Sequence, residues 1–153
     1  MEIDGEYFWD GGYMGSPALF PLIYDCQSRD IVVVHVNPTE RPEIPKTAPE
    51  IINRVNEISF NSSLFREMRA IAFVTKLIDE GRINDCSLRR MHIHAIDADD
   101  VMQKLGATSK LNADGDFLLR LHQVGYSRAD QWLRSHLEMI GVKSTVDIRA
   151  KYL

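Results

Sequence analysis

The stretch Glu6-Tyr7-Phe8-Trp9-Asp10-Gly11-Gly12 brings one carboxylate to a pair of glycines at the end of an aromatic run. Read as a strand, the run sends Tyr7 and Trp9 to one face and Phe8 and Asp10 to the other. Asp10 then ends a strand, the place where ligands and catalytic groups gather in open α/β sheets. Gly11 and Gly12 admit positive φ and the close approach of a backbone or a substrate. A carboxylate held this way is a candidate ligand-binding or catalytic group. The plainer reading is a β-turn, because Asp-Gly is one of the commonest turn dipeptides.

Other groups invite the same question. His92 and His94 share a strand face at two-residue spacing, and Asp97, Asp99 and Asp100 follow them. Such a pair holds a metal only when further ligands come from elsewhere. A half-exposed edge strand running into an acidic helix start, with Asp97 as its cap, explains the same residues. His35 lies within an apolar run and reads as a packed or hydrogen-bonded side chain. Gly125-Tyr126-Ser127-Arg128-Ala129 is the nearest string to Gly-x-Ser-x-Gly, but Ala129 replaces the last glycine. Leu118, Leu119, Leu121 and Val124 precede it with helical spacing, where a nucleophile elbow needs a strand. Ser127 is therefore expected to cap a helix. Asp114-Gly115-Asp116 is like a calcium loop only in its acids, with no Glu at the required position downstream. Cys26 and Cys86 form neither a metal cluster nor a disulfide framework. Reduced thiols in a cytoplasmic protein, with no metal and no cofactor, are the expectation.

Trp9-Asp10-Gly11-Gly12, continuing through Tyr13-Met14-Gly15-Ser16-Pro17-Ala18-Leu19, resembles the second catalytic block of the patatin-like phospholipases. That family carries Asp-Gly-Gly or Asp-Gly-Ala, and its Asp pairs with a nucleophilic Ser. Asn61-Ser62-Ser63-Leu64-Phe65-Arg66-Glu67, Ser109-Lys110-Leu111-Asn112 and Ser144-Thr145-Val146-Asp147-Ile148-Arg149 resemble the C-terminal extension of one bacterial subgroup. The resemblance spans nearly all of the chain and corresponds to the C-terminal part of the family's protein. It implies that Asp10 is the general base of a Ser-Asp dyad, with Gly11 and Gly12 supporting its turn. The family's Gly-x-Ser-x-Gly nucleophile and glycine-rich oxyanion loop do not occur in these residues.

The elements that must position these residues follow from local pattern. Asp4-Gly5 between 1–3 and 6–9 signals a hairpin with a tight primed turn. Ser16 and Pro17 suit the N-cap and first position of a helix over 16–24, limited by Pro21. The β-branched run 31–36 is apolar on both faces, as in a buried strand of a parallel sheet. Residues 39–46, rich in proline and charge, read as a surface connector. Thr47 and Glu50 match a capping box opening a helix over 49–80, with Gly81 after its end. The serines and asparagine of 59–62 predict a break within it. Phe65, Met68 and Phe73 could line an acyl-chain pocket, although core packing is the simpler role. Residues 91–96 predict a second strand. Residues 117–121 and 129–139 predict two helices joined at Gly125, the second ended by Gly141. Residues 146–153 read as a last helix or a tail.

The 153 residues are 44% hydrophobic and 26% charged, enough for one globular core. A net charge of −4 gives no general affinity for nucleic acid. No apolar run is long enough for a membrane span. The expected class is α/β: the C-terminal part of a patatin-like fold with an incomplete sheet. Residues 1–24 would end the catalytic domain and 25–153 form an α/β-to-helical extension. The expected function is that of a patatin-like lipid acyl hydrolase, inactive without its nucleophile. The expected partners are a lipid or ester substrate, a membrane surface and a missing N-terminal half. A non-catalytic lipid-binding or regulatory remnant is the alternative, and a metal enzyme built on His92 and His94 is the third reading.

Overall fold

The computed structural model describes residues 1–83 and 88–153. Cys86 lies outside the described residues, and Cys26 carries an exposed free thiol. The chain is a mixed helix-and-strand protein, with two small sheets among the described residues. β1 (Glu2–Ile3) and β2 (Glu6–Tyr7) form the hairpin, Glu2 opposite Tyr7 and Ile3 opposite Glu6. Asp4 and Gly5 both take positive φ, 53° and 83°, as the primed turn requires. Every hairpin residue is exposed.

The first helix, α1 (Phe20–Asp25), starts later than Ser16 and Pro17 predict. Leu19 is its N-cap and Pro21 sits in its first turn, where a missing N–H leaves no bond unmade. Pro21 therefore starts the helix instead of limiting it. β3 (Asp30–Val34) runs parallel to β4 (His92–Ile96), pairing Asp30 with His92, Val32 with His94 and Val34 with Ile96. Ile31 and Val33 are buried, but Val32 and Val34 are exposed, so β3 is covered on one face only. β4 is the opposite surprise: His94 is fully buried, not half exposed.

Between the strands runs α2 (Ala48–Asp79), 32 residues without a break. Thr47 caps it, and Glu50 accepts the backbone N–H groups of Lys46 and Thr47 at 2.8 and 3.0 Å. Those two bonds hold the Glu50 carboxyl below its ordinary pKa. The predicted break is absent because the polar side chains find acceptors without opening the helix. Ser62 and Ser63 donate to the carbonyls of Ser59 and Phe60 one turn back, and Asn61 donates to Pro38 O at 2.9 Å. At the far end Gly81 has φ 63°, with its N–H on Ile78 O and that of Arg82 on Leu77 O, a Schellman end.

After β4 come α3 (Asp99–Met102), a 3-10 turn (Ala107–Leu111) and α4 (Gly115–His136). Asp97 does not cap α3, whose N-cap is Ala98. α4 is one helix capped by Asp114, which accepts from Phe117 N at 2.8 Å. Gly125 lies in its interior and joins nothing; a glycine costs a helix only about 1 kcal/mol. A 3-10 turn (Leu137–Met139) and Gly141, at φ 80°, follow. The last residues are a docked helix, α5 (Ile148–Tyr152), capped by Asp147. One core joins Leu19, Ile31, Val33, Leu64, Met68, Ile71, Met91, Ile93 and Tyr152. Residues on both sides of position 24 thus pack together.

Candidate functional site

Asp10 does not end a strand. β2 stops at Tyr7, and Asp10 is the N-cap of a 3-10 turn, Gly11–Tyr13. Its Oδ1 accepts the Gly12 N–H at 2.8 Å, the bond that makes Asp-Gly a good turn starter. Among the described residues Oδ2 has no protein partner, and the side chain is exposed. Tyr7 and Trp9 are 79% and 87% exposed and do not shield it.

Neither Gly11 nor Gly12 has positive φ. Gly12 is needed for space instead: a Cβ there would sit 2.9 Å from Phe60 Cε1 and 3.1 Å from Asp10 Oδ1. A Cβ on Gly11 would meet nothing within 4 Å. The turn is fixed to α2 by a short series of contacts. Tyr13 packs on Phe60 with ring centroids 5.1 Å apart, and Trp9 meets Tyr13 edge-on at 6.3 Å. Ser16 N–H donates to Ser63 Oγ at 2.9 Å, and Leu19 N–H to Glu67 Oε2 at 2.8 Å. Asp10 is held by a helix, through residues 60–67, and not by a sheet.

The other candidates fall elsewhere. Ser127 is an exposed residue in the middle of α4, so it is neither a cap nor part of a strand-to-helix elbow. His35 is buried where the chain leaves β3, its Nε2 2.7 Å from Tyr152 Oη. Burial and the nearby Lys151 hold its pKa below the ordinary value, while burial, Asp97 and Asp99 push that of Tyr152 up. The pair is neutral near pH 7 and fastens α5, as a packed, hydrogen-bonded histidine would.

His92 and His94 do share a face, but the acids expected beside them point away. Asp97 pairs with Lys151 at 2.5 Å, Asp99 accepts from Thr39, and Asp100 takes both bonds from Arg128. Asp30 takes their place. Its Oδ1 lies 3.2 Å from His92 Nδ1, 3.0 Å from His94 Nε2 and 2.8 Å from Gly141 N, while Thr145 Oγ1 meets His94 Nδ1 at 3.1 Å. Burial raises the Asp30 pKa, but the Gly141 and histidine hydrogen bonds outweigh it and bring it below the ordinary value. The cluster ties the start of both strands to the turn after α4. Among the described residues no three His, Cys, Asp or Glu side chains are arranged to hold a metal ion. The signal for Asp30 was the strand register, which local pattern does not contain.

Phe65, Met68 and Phe73 do not share a pocket. Met68 is in the core, Phe65 packs on Tyr152 and Phe73 is 60% exposed. A cavity of about 530 Å³ lies elsewhere, between Phe20, Ile23 and Tyr24 of α1 and Ile71 and Val74 of α2. Among the described residues no helix is long and apolar enough to cross a membrane. No family model, curated protein or solved structure matches the chain.

Proposed function

We propose that this chain is the part of a patatin-like lipid acyl hydrolase that carries the general base, Asp10, in the C-terminal part of that fold. The observation that carries it is the state of the Asp10 carboxylate. One oxygen is fixed by the Gly12 N–H, the other faces solvent without a partner among the described residues, and the turn is anchored to α2. A dyad base needs this: a fixed orientation and one oxygen free for a Ser hydroxyl. The exposed Trp9, Tyr13 and Met14 around it suit an apolar substrate or a lipid surface.

In this mechanism Asp10 takes the proton of a Ser hydroxyl supplied from outside these 153 residues. The Ser oxygen attacks the ester carbonyl, and backbone N–H groups of a glycine-rich loop hold the resulting oxyanion. The carbon–alkoxy bond breaks, and the alcohol leaves with the proton from Asp10. Water, giving its proton to Asp10, then attacks the acyl-enzyme, and Asp10 returns that proton to the Ser oxygen as the acyl carbon–oxygen bond breaks and the fatty acid leaves. No cofactor enters these steps.

The test is the genomic reading frame upstream of Met1. A continuous frame encoding a glycine-rich loop and Gly-x-Ser-x-Gly supports the assignment, and its product should lose about 10²–10⁴-fold in kcat/KM with Asp10→Asn. The 153 residues alone should show no esterase turnover. Turnover that survives Ser127→Ala but is lost with Asp10→Asn would overturn the assignment of the nucleophile to another segment. A frame without the nucleophile leaves a non-catalytic lipid-binding module.

A further inference from the structure

The cavity of about 530 Å³ beside α1 is built on one face of α2. Glu67, Ile71 and Val74 follow one another at helical spacing and line it together. Phe20 and Ile23 of α1 and Met91, just ahead of β4, add to the apolar lining. Ile71 and Met91 also belong to the core, so this part of the wall is fixed by the packing of the whole molecule. Small-molecule sites are typically clefts of about 300–1,000 Å³, mostly apolar, with a few polar groups that orient the ligand. The cavity has both the size and the make-up of such a site.

Its charged groups decide what kind of molecule fits. Among the described residues the lining carries two carboxylates, Asp25 and Glu67, and one guanidinium, Arg89. Arg89 turns both Nη groups to the end of α1, donating to Ile23 O, Cys26 O and Gln27 O. A cation so placed satisfies the last carbonyls of a helix. Glu67 is fixed but not used up. Its Oε2 accepts the Leu19 N–H at 2.8 Å, while Oε1 has no partner among the described residues. Asp25 is exposed at the same cavity. Two negative charges against one positive charge leave the lining negative. Phe20 and Tyr24, both exposed, add aromatic rings, whose faces attract cations.

We propose that this cavity binds a small apolar amine, its hydrocarbon body between α1 and α2 and its ammonium group donating to Glu67 Oε1. Asp25 strengthens the attraction through space. An ammonium meets a carboxylate already oriented by the Leu19 N–H, so little ordering is needed on binding. The site does not depend on the hydrolase assignment.

The experiment titrates octylamine, octanol and octanoate, which share one hydrocarbon chain, separately into the 153-residue protein near neutral pH. Methyl resonances of Ile23, Ile71 and Val74 report on the cavity by NMR. Octylamine should shift all three saturably, with a Kd below about 1 mM. Octanol should bind at least about 10-fold more weakly, the worth of a hydrogen bond to a charged group, and octanoate more weakly still. Glu67→Gln keeps an oxygen for the Leu19 N–H and removes the charge, so octylamine should fall to the affinity of octanol. Asp25→Asn, at an exposed position, should weaken octylamine by about 2- to 5-fold and leave octanol unchanged. Octanoate binding as tightly as octylamine would assign the cavity to an anion on Arg89 and overturn the proposal. Octylamine that binds the parent and both variants equally, or leaves the three methyls unmoved, would also overturn it.

Discussion

Replacing Glu57 by Gln tests how the irregular chain after β3 is held. Glu57 is 3% exposed and Arg41 14%, and they form a two-bond pair at 2.6 and 3.0 Å. Asn53 and Arg54 add bonds to the same carboxylate at 3.1 and 3.3 Å. Arg41 also donates to Gln103 O and Leu105 O, so one guanidinium joins the connector, α2 and the chain beyond α3. Removing one charge of a buried pair costs about 3–5 kcal/mol. The lower end applies here, because Arg41 keeps its two carbonyl acceptors. At a urea slope of about 2 kcal/mol per molar, a loss of about 3 kcal/mol moves the unfolding midpoint down by about 1.5 M. Burial raises the Glu57 pKa, but Arg41 and then Arg54 outweigh it and bring it below 4.5. A depressed carboxyl stabilises the fold above its unfolded pKa and loses that contribution as pH falls through the folded one. The gap between parent and variant should therefore narrow as pH falls below 4.5 toward the depressed value. Arg41→Met with Glu57→Gln should cost less than the two single changes summed, by about 1.5–3 kcal/mol. A midpoint shift under about 0.3 M, or a coupling under about 0.5 kcal/mol, would show that the pair is solvated and that the connector is held in some other way.

Gly12→Ala should displace the Asp10 turn from Phe60 and alter Trp9 fluorescence, whereas Gly11→Ala should do neither. Phe60→Leu should restore the first variant, because the clash is with the ring edge. His35, held below its ordinary pKa of 6.5 chiefly by burial, stabilises the fold above that pH and loses its contribution as pH falls through the depressed value. Urea titrations between about pH 7 and 5 should show stability falling with acidity, and His35→Gln should flatten that slope.

Some features that close within a few residues were legible, although the caps expected at Ser16, Asp97 and Ser127 were not. Asp4-Gly5 gave the hairpin, Thr47 with Glu50 the helix start, and Gly81 the helix end, because each satisfies its own backbone. The break predicted at 59–62 failed because Asn61 finds its acceptor 23 residues away in Pro38. Asp30 and Arg41 were missed for the same reason: their partners are set by tertiary register. α2 also defeats the rule that buried residues are the apolar ones. From Leu64 to Ile71 it buries an ordinary apolar stripe, but its first half is inverted. Asn53, Glu57 and Asn61, four residues apart, face inward, while Ile51, Ile52, Val55 and Ile58 are 48–62% exposed.

That inversion explains why Asp10 is held by a helix. A buried face carrying Asn, Glu and Ser offers hydrogen bonds to irregular chain, which an aliphatic face does not. Asn61 takes Pro38, Glu57 takes Arg41, Ser63 takes Ser16 and Glu67 takes Leu19. These are the segments that leave β3 and follow Asp10, and neither has a sheet partner of its own. The hairpin before Asp10 is wholly exposed and contributes no buried contact that could fix the carboxylate. The positioning of Asp10 therefore belongs to residues 60–67 of α2, and changes there should reach the site more strongly than changes in the aromatic run that leads into it.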